Sequence, residues 1–133
     1  MKPLILVVDD NSNNLKLIST ILSPVYRVLV ANSGVDAIKI AEIKQPDLIL
    51  LDIMMPDMDG YQACTNLKAN DATRDIPVIF LTAKDQEDSI VKAFDAGGVD
   101  YLIKPMRQKE VLARIKLHID LKLAKNDLMI QNE

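Results

Sequence analysis

Five polar residues in this sequence lie at the ends of short aliphatic runs. Together, side chains of these kinds could catalyse the transfer of a phosphoryl group. Asp9 and Asp10 follow one run, Asp52 and Thr82 each end another, and Lys104 follows a fourth. Carboxylates bind hard cations such as Mg²⁺ and can attack phosphorus as nucleophiles. A neighbouring ammonium and hydroxyl can bind the oxygens of the transferred group. The pattern therefore indicates metal-assisted phosphoryl transfer onto a carboxylate.

Each of these residues alone has a simpler structural explanation. An aspartate after a strand is commonly a turn or helix-capping residue, and threonine at a strand end or lysine before proline is ordinary at a protein surface. The joint pattern is harder to explain in that way. Three carboxylates placed together repel one another, and a bound cation relieves that repulsion.

The elements that would position these residues alternate along the chain. Continuous hydrophobicity predicts strands covered on both faces over residues 4–8, 27–31, 48–51, 78–81 and 101–103. Amphipathic patterns predict helices over residues 13–22, 34–44, 60–68, 86–96 and from 107 onward. Five βα units in series predict a parallel sheet with helices on both faces. The five polar residues would then meet at its carboxyl edge, where open α/β sheets bind ligands.

Helix start and stop signals agree with these elements. Ser12 and Ser33 are suited to the N-caps of the first two helices, and Asp85 begins an acidic first turn for the fourth. Gly97 and Gly98 follow the fourth helix, where a glycine commonly ends one.

The composition is that of one ordinary globular domain, with 133 residues, 49% hydrophobic and 26% charged. The one cysteine, Cys64, agrees with a reducing compartment and is expected to pack as a small hydrophobe. No stretch approaches the roughly 18 apolar residues of a membrane span. The formal charge of −3 gives no reason to expect direct nucleic-acid binding. We therefore expect a cytoplasmic protein without a membrane or direct nucleic-acid partner.

The last helical segment is longer than a five-unit domain requires. We predict a domain over residues 1–120 and a helical extension over residues 121–133, which would either end a stand-alone protein or link the domain to an output domain. Leu112, Ile115 and Ile119 form a stripe that would pack on the sheet. A second stripe has the 4-3-4 spacing of a short coiled-coil seam, although a frayed helical tail explains it equally well. This second stripe comprises Leu117, Leu121, Ala124 and Leu128.

Four stretches resemble the receiver domains of two-component response regulators, the chemotaxis regulators among them, over roughly residues 3–119. They are ILVVDDN at 5–11, DLILLDIMMPDMDG at 47–60, PVIFLTA at 77–83 and AGGVDYLIKP at 96–105. Each stretch alone is moderately specific, and all four in order at the family's spacing are much more so. The resemblance implies a flavodoxin-like doubly wound (βα)5 fold with strand order 2-1-3-4-5 and an extended C-terminal helix.

The resemblance also implies a role for each residue of the acidic edge. Asp52 matches the phosphoacceptor, and Asp9 and Asp10 match the acidic pair that holds Mg²⁺ together with it. The backbone carbonyl of Met54 matches a further metal ligand. Lys104 matches the lysine that pairs with the phosphoryl group.

The remaining matches concern the switch between inactive and active states. Thr82 and Tyr101 match the family's switch pair, in which the hydroxyl turns toward the phosphoryl group and the ring moves inward behind it. Pro105 stands where the family commonly has a cis peptide, and Gly60 opens the third helix as in the family. Met54 and Lys84 occupy positions that tune the lifetime of the phosphorylated form.

The implied partners are a sensor histidine kinase or phosphotransfer protein as donor, and an output domain or effector. The output would use the face formed by the fourth helix, fifth strand and fifth helix, and a homodimer is a further candidate partner, with the oligomeric state left open. Such a domain catalyses only its own phosphorylation and dephosphorylation.

Other functions fit the sequence less well. The loop after the first strand is acidic and lacks the glycines of a dinucleotide site, which argues against flavin or nucleotide binding there. A small-molecule phosphatase or phosphotransferase would need a cap or lid, and no long insertion supplies one. A receiver that docks partners without phosphorylation stays open as an alternative. His118 is interpreted as a surface or packing residue rather than a phosphorelay donor, and the lysines of the last helix as a solvated face, namely Lys116, Lys122 and Lys125.

Overall fold

The structure, a computed structural model, describes residues 2–83 and 87–131. Strands and helices alternate strictly along the chain. The strands are β1 Leu4–Val8, β2 Arg27–Ala31, β3 Leu48–Asp52, β4 Val78–Thr82 and β5 Asp100–Ile103. The helices are α1 Ser12–Leu22, α2 Gly34–Lys44, α3 Gly60–Ala69, α4 Glu87–Asp95 and α5 Gln108–Gln131.

Within the described residues, the predicted ends of these elements differ from the observed ones by at most one residue. Three sequence-based assignments lie outside the described residues. They concern Lys84 as a residue that tunes the phosphorylated lifetime, Asp85 as the beginning of an acidic first turn and residue 86 as the start of the fourth helix.

All five strands form one parallel sheet in the order β2-β1-β3-β4-β5, as the resemblance implied. The chain moves from β1 outward to β2 and then returns across β1 to β3. The direction of winding therefore reverses between β1 and β3. Such a reversal opens a crevice at the carboxyl ends of the two strands, because the loops that follow them diverge to opposite faces.

Alternate residues of the central strands pack into two separate cores, because side chains in a strand point to opposite faces in turn. The core under α2, α3 and α4 contains buried aliphatic strand residues, Phe80 and the buried Cys64. The opposite core lies under α1 and α5. Its strand residues are Ile5, Val7, Leu48, Leu50, Ile79, Leu81 and Leu102.

The N-cap of α1 is Asn11, so the assignment of Ser12 to that position was wrong. The Asn11 side-chain oxygen accepts hydrogen bonds from the backbone N–H groups of Asn13 at 2.9 Å and Asn14 at 3.2 Å. Asparagine caps as well as serine does, and here its oxygen reaches two otherwise unpaired donors. The prediction for α2 is confirmed, since Ser33 Oγ accepts from the N–H of Asp36 at 3.2 Å.

Helix α5 is one continuous helix of 24 residues, and its two halves have different surroundings. Ile115 and Ile119 are buried against the sheet with Val111, which the predicted stripe had omitted, and Leu112 packs beside them. In the second stripe Leu117 and Leu121 are about half exposed. Among the described residues, no helix combines the length and apolar character needed to cross a membrane.

Candidate functional site

The carboxyl edge of the sheet brings the predicted polar residues to adjacent strand ends. Asp9 and Asp10 directly follow β1, and Asp52 is the last residue of β3, the strand paired with it. Thr82 is the last residue of β4, and Lys104 directly follows β5. The prediction that these five residues share one edge is confirmed by the parallel registers.

The ammonium of Lys104 connects two of the carboxylates. Its Nζ atom lies 3.0 Å from Asp52 Oδ1 and 3.2 Å from Asp9 Oδ2. Asp9 is fully buried and Asp52 is 4% exposed, whereas the Lys104 side chain keeps 23% of its exposure. Charges that are withdrawn from water need such a partner, because an unpaired buried carboxylate is costly.

Burial and crowding change the proton affinities of this pair. Burial raises the pKa of Asp52 to about 6; the hydrogen bond from Lys104 opposes this, and the charge of Asp9 adds to it. For Lys104, burial lowers the pKa, but the hydrogen bond to Asp52 and the charges of both aspartates outweigh burial and raise it. One ammonium therefore does not fully compensate the acidic cluster, and additional positive charge would stabilise it.

The geometry of the acidic cluster fits a divalent cation. Asp9, Asp10 and Asp52 each offer a carboxylate oxygen, and these oxygens all lie within 4.8 Å of one another. Asp10 is exposed, so solvent and ions reach the cluster from its side. Hard carboxylate oxygens in this number suit Mg²⁺, which keeps several of its waters.

Two donors that the sequence analysis did not identify hold Asp9 in place. The backbone N–H of Asn11 donates to Asp9 Oδ1 at 3.0 Å, and the side-chain amide of Asn14 donates to Asp9 Oδ2 at 3.2 Å. With Lys104, three donors converge on this buried carboxylate. A polar residue on the first turn of a helix is usually solvated, so nothing in the sequence pattern distinguished Asn14.

Close packing positions the strand that bears Asp52. Gly60 begins α3 directly against it, and a Cβ atom at that position would lie 2.4 Å from the backbone oxygen of Asp52. The Gly60 N–H also donates to the carbonyl of Ile53 at 2.9 Å. A reciprocal capping box between Asp59 and Gln62 fixes the same helix end. The beginning of α3 and the candidate nucleophile are therefore held in one rigid arrangement.

The two predicted switch residues lie on neighbouring strands. Thr82 pairs in register with Ile103, and Tyr101 pairs with Phe80 two residues earlier. The Tyr101 ring is partly buried and meets the ring of Phe94 edge-on, with centroids 6.4 Å apart. Tyr101 thus contacts a side chain of α4 that is itself 48% exposed.

Two further sequence-predicted positions border the site. The Lys104–Pro105 peptide bond is cis, as the resemblance implied. Met54 follows Asp52 by two residues, and its side chain is 76% exposed. This side chain is therefore open to solvent next to the acidic cluster.

A second charged cluster lies at the opposite edge of the sheet. Asp100, at the start of β5, accepts hydrogen bonds from Arg114 Nη1 at 2.9 Å and from the N–H of Tyr101 at 2.8 Å. His118 Nε2 lies 2.9 Å from Asp100 Oδ2. The interpretation of His118 as a packing residue away from the acidic edge agrees with this position, but its partner Asp100 was missed.

Comparison with known proteins identifies the family. The family model for the response regulator receiver domain matches residues 5–116 of the chain. The chain belongs to this family. Receiver domains bind Mg²⁺ in an acidic site of this kind. One receiver domain, from a sensor histidine kinase of Pseudomonas aeruginosa, was solved with a magnesium ion coordinated in its active-site cleft. It is 34% identical with a TM-score of 0.84, and the match covers 90% of this chain and 99% of that one.

The curated relatives are longer proteins with various functions. A probable cyclic di-GMP phosphodiesterase from Vibrio cholerae is 40% identical over 129 residues, which cover 97% of this chain and 29% of the relative. The DNA-binding dual master transcriptional regulator RpaA from Synechocystis is 41% identical over 115 residues, 86% of this chain and 48% of the relative. The chain thus spans less than half the length of these relatives.

Proposed function

We propose that Asp52 of this receiver domain accepts a phosphoryl group from a phosphohistidine of a sensor histidine kinase or phosphotransfer protein. The observation that supports this most directly is the Lys104 ammonium, 3.0 Å from Asp52 Oδ1, in a cluster of three carboxylates at the switch point of the sheet. The carboxylate can act as the nucleophile, and the neighbouring cation can stabilise the charge on the oxygens of the transferred phosphoryl group.

The transfer exchanges a phosphorus–nitrogen bond of the donor for a phosphorus–oxygen bond to Asp52. A carboxylate oxygen of Asp52 forms a bond to phosphorus, the bond between phosphorus and the donor imidazole nitrogen breaks, and that nitrogen takes up a proton. Lys104, released from its ion pair with the Asp52 carboxylate, is placed to bind a phosphoryl oxygen. Hydrolysis later returns the phosphoryl group to water and restores the carboxylate.

Asp9, Asp10 and Asp52 would hold Mg²⁺ together with the backbone carbonyl of Met54. When bound, the cation would neutralise negative charge on the oxygens of the transferred phosphoryl group. The support for this ligand set is the spacing of the three carboxylates and the raised pKa of Asp52, which indicates that the cluster has too little positive charge.

Phosphorylation would shift an existing equilibrium between two conformations, with Thr82 and Tyr101 as the responding residues. Tyr101 contacts Phe94, so an inward movement of its ring would alter the exposed surface of α4. This surface belongs to the face of α4, β5 and α5, which we assign to docking of an output domain, an effector or a second copy of the chain.

The proposed activity is that of a phosphorelay switch, which catalyses its own phosphorylation and dephosphorylation and turns over no external metabolite. Residues 1–120 would form the switch, and residues 121–133 would link it to an output domain. Helix α5 crosses this boundary without interruption, so a movement of the domain would be passed directly along the helix.

Intact-mass spectrometry after incubation with acetyl phosphate tests the proposal. We expect a gain of one phosphoryl group that requires Mg²⁺, is abolished by a chelator and is lost in Asp52→Asn. Asp57→Asn is a matched control, because it makes the same chemical change five residues away, in the loop that follows β3. If acetyl phosphate and candidate kinases all fail to label the wild-type chain, a docking module that works without phosphorylation becomes the better explanation.

A further inference from the structure

A cavity of about 360 Å³ lies at the edge of the sheet opposite Asp52. Pro77, just before β4, and Val99, just before β5, form part of its lining. Its other wall is the distal half of α5, through residues spaced at i, i+3, i+4 and i+7 and hence on one face of the helix. These four residues are His118, Leu121, Lys122 and Lys125.

Basic side chains are concentrated around this cavity. Among its lining residues in the described chain, four are lysine or arginine and one, Asp75, is acidic. The protein as a whole has a formal charge of −3, so the excess of positive charge around the cavity is opposite in sign to the net charge. Lys122 and Lys125 were interpreted from the sequence as a solvated face, but the fold places them with Lys68, more than fifty residues away in sequence.

The Lys68 ammonium is held at the cavity that Lys122 and Lys125 also line. Lys68 Nζ donates to the carbonyls of Arg74 at 3.0 Å and Ile76 at 2.5 Å, which fixes its ammonium at the cavity wall. The pKa of Lys68 is lowered, first by burial; Cys64 and the charge of Asp75 oppose this, and the nearby charges of Lys122 and Lys125 add to the lowering. Like charges held together in this way weaken the fold, and a bound anion would relieve the repulsion.

The apolar lining residues indicate that the ligand has an uncharged part beside its anionic group. Pro77, Val99 and Leu121 give the cavity an apolar surface beside the cations. Its volume lies at the lower end of the usual range for small-molecule sites. The acidic Asp71, 3.1 Å from Arg74 Nη1, stands close to the rim and disfavours an extended polyanion or an anionic membrane.

We propose that this cavity binds a phosphorylated small molecule of nucleotide size. Its phosphate would contact Lys68, Lys122 and Lys125, and its flat body would lie against Pro77, Val99 and Leu121. Lysines act as point charges, which suits the doubly charged phosphate monoester. Because α5 forms one wall of the cavity, a bound ligand would stabilise the position of the distal half of α5.

The test is a ¹H–¹⁵N NMR titration of the whole chain at constant ionic strength with adenosine monophosphate, adenosine and inorganic phosphate. We expect the monophosphate to shift the amide signals of Val99 and Leu121, with weaker binding of inorganic phosphate and none of adenosine. The double substitution Lys122→Gln, Lys125→Gln should weaken binding by about tenfold or more, because two charge-assisted contacts are lost.

Lys116→Gln is the matched control, since Lys116 is on the same helix but pairs with Asp120 outside the cavity. It should change the affinity by less than about twofold. All variants should still accept a phosphoryl group on Asp52 at the wild-type rate, which shows that they are folded. Equal weakening by Lys116→Gln, absence of shifts at millimolar monophosphate, or binding of RNA or anionic vesicles in its place would each overturn the proposal.

Discussion

The side-chain amide of Asn14 donates a hydrogen bond to Asp9 Oδ2 at 3.2 Å, on the same oxygen that accepts from Lys104. Asn14 is on the first turn of α1, so this bond connects the helix to the acidic cluster. It also fixes the rotation of a fully buried carboxylate. Asn14 is therefore a positioning residue: it orients Asp9, and its own side chain is not one of the groups that could bind the cation.

Removal of this bond should weaken metal binding. In Asn14→Ala we expect Mg²⁺ affinity to fall by about tenfold, because partners of metal-site carboxylates typically contribute that much. Isothermal titration calorimetry with MgCl₂ measures it without any phosphodonor. Asn13→Ala, one residue away, is the control, and an equal loss in that variant would remove Asn14 from the site.

The raised pKa of Asp52 predicts how stability depends on pH. Its folded value is about 6, against about 3.9 in an unfolded chain. Between these values the folded state binds more protons, so this group lowers the free energy of unfolding as pH rises from about 4 to 6. Asp52→Asn should remove that cost and stabilise the protein at pH 7 by about 1–3 kcal/mol.

Urea denaturation of both proteins in the presence of a chelator, from pH 4.5 to 7.5, measures this difference. The stability gap between variant and wild type should widen with pH and reach a plateau above the folded pKa. A gap that is constant across this range would mean that Asp52 does not titrate with a raised pKa. Saturating Mg²⁺ should reduce the gap, because the cation stabilises the wild-type carboxylate cluster.

The close contact of Gly60 with the backbone of Asp52 should link the stability of the fold to the rate of phosphorylation. In Gly60→Ala the new methyl would meet the backbone oxygen of Asp52 at 2.4 Å, so strand or helix must shift. We expect a loss of about 1–3 kcal/mol in the free energy of unfolding and slower phosphorylation by acetyl phosphate. Gly34→Ala is the comparison, because its new methyl meets the flexible side chain of Met58 rather than backbone. If both variants behave alike, close backbone contact is not the reason for glycine at position 60.

The cluster around Asp100 predicts a stability effect far from the acidic edge. Burial raises the pKa of Asp100, but hydrogen bonds from His118, the Tyr101 N–H and Arg114 outweigh burial and lower it. Asp100→Ala should destabilise the protein by about 1–3 kcal/mol above pH 4, since several donors lose their acceptor.

A lowered pKa means that this contribution is present above the unfolded value of about 3.9 and is lost as pH falls through the folded value. Thermal unfolding at pH 7 and at pH 3 should therefore show a smaller effect of Asp100→Ala in acid. Asp120→Ala, which removes only an exposed ion pair with Lys116, should change stability by less than about 1 kcal/mol at either pH.

Most of the sheet and its polar edge could be predicted from the sequence, for a physical reason. Strands covered on both faces must be continuously apolar, so a charged or hydroxyl residue such as Asp52 or Thr82 marks where a strand leaves the core. Parallel pairing then places all such ends at one edge without further information. The further condition for the acidic cluster, that β1 and β3 are neighbours, came from the strand order that the family resemblance implied.

The features that were missed depend on contacts between distant segments. Asp100 and His118 are 18 residues apart, and Lys68 and Lys122 line one cavity although they are distant in sequence, so neither pair has a local pattern. Asn14 is polar in a position where most helices are polar. The N-cap of α1 was misassigned because asparagine and serine stand next to each other and both can cap, and only the backbone path decides which one does.

The continuity of α5 makes this helix a lever. Its proximal half is packed against the sheet through Ile115 and Ile119, while the twelve residues after Ile119, which end at Gln131, continue the same helix as an arm. At about 1.5 Å per residue, that arm is about 18 Å long. A tilt of about 10° at Ile119 would displace its tip by about 3 Å. An adjustment too small to disturb the core would in this way become a displacement of several ångströms at the far end of the helix.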